Sequence, residues 1–98
     1  MKTEELIKVL RVPLYKLYYV DNIENFVGLN KVELDSLRRD CSQERIKEII
    51  NSLKWAVENP AFDFQSLLPN LPQKNELIYK YLCRLYEQLS SNFKNTNG

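Results

Sequence analysis

The stretch SQERIKEIINSLKWAVENP, residues 42–60, decides the fold. Ser42 is an N-cap residue, and Ile46, Ile49, Ile50, Leu53 and Val57 recur at the spacing of one narrow helical stripe. Asn59-Pro60 stops it, because proline cannot continue the ladder and restricts the residue before it. A long amphipathic helix of this kind needs apolar faces on both sides of it in the chain, and both are present.

N-terminally, Thr3 predicts an N-cap, followed by Glu4 and Glu5 at the positive end of a helix. Leu6, Ile7, Leu10, Leu14, Leu17 and Tyr18 then share one face. The stripe passes Pro13 in register, so a break or kink is expected near Val12. Asp21 with Glu24, and Asn30 with Glu33, have capping-box spacing. Ile23, Phe26 and Val27 form a short apolar face that Gly28 can end. Leu34, Leu37 and Cys41 mark another short helix.

C-terminally, NPAFDFQSLLPNLP (59–72) holds three of the four prolines yet is too apolar for a solvated linker. It predicts a connector packed over the bundle, with one helical turn after Asp63. The last helix is expected to begin near Pro72 or Gln73, with Leu77, Ile78, Tyr81, Leu82, Leu85 and Leu89 inward. Residues 94–98 should fray. The sum is an all-α chain: a compact, irregular bundle of four to six helices in a single domain, residues 1–93.

Composition sets bounds on function. Fourteen basic against thirteen acidic residues leave a charge of +1, far from the excess that phosphate binding uses. The charge-studded N-terminus predicts neither a signal peptide nor a membrane span, so a cytoplasmic protein with reduced thiols at Cys41 and Cys83 is expected. The chain has no histidine, hence neither the commonest general base nor the commonest metal ligand. The cysteines lack zinc-finger spacing, and there is no phosphate-binding loop. No catalytic residue, metal, cofactor or small-molecule substrate is therefore predicted. Cys41 beside Arg38 and Arg39 could be an activated thiol, but its place on an apolar stripe favours packing.

Aromatic residues carry the positive signal. On a helical wheel Trp55 lies nearly opposite the Ile46–Leu53 stripe, beside Glu48, Asn51 and Ser52. Tyr79, Tyr86 and Phe93 recur every seven residues, widening the apolar face of the last helix, and Tyr15 and Tyr19 flank the first stripe. Tyrosine and tryptophan on polar faces dominate binding hot spots. The competing reading is structural: the connector around Phe62 and Phe64 could fold back over Trp55. The expected function is a non-enzymatic protein-interaction module, such as a dedicated inhibitor of the immunity or antitoxin type. It would bind a partner protein, or itself, through Trp55, Tyr15, Tyr19, Tyr79 and Tyr86. The alternative is a nucleic-acid-associated regulatory domain using the helix pair at 30–58, where Arg38, Arg39, Arg45 and Lys47 alternate with five carboxylates.

Overall fold

A helix buries its apolar stripe only against another element, and the three longest stripes here do so against one another. The computed structural model describes residues 2–19, 23 and 28–93, with residue 19 described in its backbone only. The Asp21–Glu24 box, Phe26, Val27 and the 94–98 tail lie outside the described residues. Among the described residues there are four α-helices and no strand: α1 (Thr3–Tyr15), α2 (Lys31–Asp40), α3 (Gln43–Glu58) and α4 (Asn75–Asn92). Tight 3-10 turns follow α1 at Lys16–Tyr19 and interrupt the connector at Phe64–Leu67.

The central element is α3, which packs against both α1 and α4. Its Ile46, Ile49, Ile50 and Leu53 are all buried, together with Leu10, Leu14 and Leu17 from the first stripe and Ile78, Leu82, Leu85 and Leu89 from α4. Leu6, Ile7 and Leu77 are only half-buried, and Tyr18 is exposed.

Two caps stand where the sequence puts them. Asn30 Oδ1 accepts from the Glu33 amide at 2.8 Å while Glu33 Oε1 accepts from the Asn30 amide at 3.1 Å, a complete capping box. The Ser42 hydroxyl accepts from the Arg45 amide at 3.1 Å. Other boundaries differ. Lys2, not Thr3, is the N-cap of α1, because its extended backbone presents a carbonyl to the amides of Glu5 and Leu6. Of the break or kink expected near Val12, the break does not occur: α1 runs through Pro13 to Tyr15. Proline there forfeits one amide bond, but Leu10 and Leu14 stay in register in the core, and the Tyr81 hydroxyl donates to the Pro13 carbonyl at 2.7 Å. The last helix starts at Asn75 instead of Pro72 or Gln73. Gln73 is held by tertiary bonds: its buried Nε2 donates to the Leu17 carbonyl at 2.8 Å, and its own carbonyl accepts from Gln65 Nε2 at 2.9 Å.

The connector lacks a backbone ladder, so side chains satisfy its polar groups. Asn75 spans it, accepting from the Gln65 amide at 3.1 Å and donating to the Phe62 carbonyl at 2.9 Å. Gln65 also donates to the Leu71 carbonyl, and Tyr18 to that of Pro69.

Burial raises the Tyr81 phenol well above its ordinary value. In unfolded chain the same group ionises near pH ~10, so above that pH the unfolded state releases the proton first and stability falls. Alkaline unfolding is therefore expected to set in above about pH 10 and to be shallower in Tyr81→Phe, which itself costs about 1–2 kcal/mol at neutral pH. Urea titrations at pH 7 and pH 11 measure both effects.

Candidate functional site

The aromatic residues singled out by the sequence separate into three places. Trp55 is half-buried, edge-on to Phe62 with ring centroids 5.0 Å apart. Phe62 meets the fully buried Phe64 at 5.3 Å, and Phe64 stacks on Tyr79 at 6.2 Å. The connector thus folds back over α3 in a four-ring ladder, and much of the Trp55 face is spent on packing. Tyr79 is tied in further: its hydroxyl donates to the Val57 carbonyl at 2.9 Å. Hydrogen bonding with the Cys83 thiol and burial raise its phenol above the usual range.

Ser52, placed by the wheel on the same polar face as Trp55, is fully buried. Its hydroxyl donates to the Ile49 carbonyl one turn back at 2.6 Å, which lets a small polar residue sit in the core. Tyr86 is half-buried against the core. Tyr15 stands out into solvent, 55% exposed, with its ring 6.4 Å from that of Tyr18. The Tyr19 side chain lies outside the described residues. The structure therefore does not gather the five predicted residues onto one surface.

A different surface emerges between the end of α1 and α2. The exposed large apolar side chains among the described residues are Val12, Tyr15, Tyr18 and Val32, the last 77% exposed. Val12 and Val32 both line a groove of about 410 Å³ between the end of α1 and α2. Pro13, Leu29 and Leu37 line its sides, and Ile49, Leu85 and Leu89 its floor. Its volume falls within the range of about 300–1,000 Å³ common for ligand pockets. Its lining also includes the polar side chains of Lys16, Glu33, Ser36, Asp40 and Tyr81. Lys16 is ion-paired with Glu33 there, and burial lowers the amine from its ordinary value. Ser36 donates to Asp40 and accepts from Arg39, both at 3.2 Å. Lys16, Glu33, Ser36 and Asp40 are thus partnered, leaving an apolar floor suited to shape recognition.

The sequence did carry a signal for this surface. Val12 and Val32 are β-branched apolar residues lying off the stripes of their own helices. Attention to aromatic rings passed over them, and only the fold brings residues 12 and 32 together.

All three arginines of the helix pair at 30–58 are ion-paired, whereas Lys31, Lys47 and Lys54 are exposed. Arg38 pairs with Asp35 and lies 5.1 Å from the Phe93 ring, Arg39 pairs with Asp40, and Arg45 pairs with Glu48. Among the described residues no cluster of three or more histidine, cysteine or acidic side chains could hold a metal, and no helix is long and apolar enough to cross a membrane. Cys41 and Cys83 are free thiols, both half-buried. Comparison with protein-family models, with curated proteins and with solved structures returned no match.

Trp55 fluorescence reports the ladder. Emission is expected to be blue-shifted from free tryptophan and partly shielded from iodide. Phe62→Ala should shift it to the red and raise quenching about twofold or more as the edge-on partner is lost.

Proposed function

We propose that the chain is a non-enzymatic protein-interaction module whose docking surface is the α1–α2 groove. It would receive apolar side chains from a helix of a partner protein. The observation that carries this reading is the exposure of Val12 and Val32, which both line an apolar groove between α1 and α2. Small proteins seldom leave such surface uncovered without a use for it. Helix-in-groove recognition needs this arrangement: an apolar trough for anchors at i, i+3 or i+4, and charged side chains beside it for orientation.

The dedicated-inhibitor form of this reading rests on small size, near-neutral charge and a sequence without recognisable catalytic motifs. A cytoplasmic setting is part of the same proposal, supported by two free thiols. For the alternative, a nucleic-acid-associated domain, the ion pairing of Arg38, Arg39 and Arg45 weighs against phosphate contact. Retention on heparin that falls steeply with salt would favour that alternative.

Affinity capture from the native host with Val32→Asp as control is the test. Val32 is so exposed that the substitution leaves folding within about 0.5 kcal/mol, while a carboxylate in an apolar contact should weaken capture about a hundredfold. A specific partner retained by the wild type and lost with Val32→Asp supports the groove. Equal retention by both proteins, or a monomer that retains nothing, counts against it.

A further inference from the structure

We draw no further inference here: the strongest candidate, the apolar groove between the end of α1 and α2, belongs to the docking site already described, and nothing in the structure shows what covers it.

Discussion

Replacing Phe64 by alanine is expected to cost about 3–5 kcal/mol of folding stability, the largest loss from any single truncation considered for this chain. Phe64 is fully buried, and its ring is the middle link between Phe62 and Tyr79. Alanine removes six ring carbons from a site bounded by two further rings. The neighbours can collapse only partly, because the connector is pinned at both ends. Asn75 holds the Phe62 carbonyl and the Gln65 amide, and Gln73 holds the carbonyl of Leu17. A cavity is therefore left, and its cost adds to the lost transfer energy. Small domains have about 5–15 kcal/mol in total, so the variant should melt on the order of 20 °C lower. Equilibrium urea unfolding, followed by helical circular dichroism and by Trp55 emission, measures it. A loss below about 1 kcal/mol would mean that the connector does not seal the α3–α4 face as described.

The second large effect is expected at Gly28. Its backbone sits at φ +129°, a region open to glycine and strained for any L side chain. A Cβ there would lie 2.8 Å from Gln88 Oε1 and 2.9 Å from Cδ and Nε2. The end of the glutamine can move aside, but only by releasing both bonds to Leu29. Strain and the lost pair together predict that Gly28→Ala destabilises by roughly 2–4 kcal/mol. The double variant Gly28→Ala/Gln88→Ala should cost less than the sum of the single ones, since removing the glutamine also removes the overlap. Additive costs in a double-mutant cycle would show that Gly28 and Gln88 do not meet.

The fold was largely legible because its three longest helices are amphipathic at 3.6-residue period, and local signals mark their ends. The Asn30–Glu33 box, the Ser42 cap and the Asn59-Pro60 stop need only residues within one or two turns, so they survive any tertiary arrangement. Features that depend on distant partners were not legible. Pro13 reads as a break or a kink, and the helix is seen to continue to Tyr15 only in the fold, where Tyr81, 68 residues away, bonds the Pro13 carbonyl. Ser52 reads as polar surface until its hydroxyl is found turned onto its own helix.

Trp55 illustrates the same point at the functional level. A wheel describes one helix and is silent about a connector that folds over it, which is why the structural reading of the Phe62–Phe64 segment applies to this residue. Tyr79 belongs to the same ladder. The groove was hidden for a simpler reason: its walls come from residues 12–16, 29–41, 49 and 81–89. No period or motif links them. Only the exposure of Val12 and Val32, which follows from packing, marks the place.

The most direct measurement is the hydrogen-exchange footprint that a captured partner leaves on this chain. Changes are expected to concentrate at residues 12–16 and across α2, with slower exchange where the partner covers the groove walls. Little change is expected around Trp55 and Phe62, whose faces are already occupied by each other. A footprint centred on Trp55, Tyr79 and Tyr86, with α1 and α2 unaltered, would contradict the groove as the docking surface.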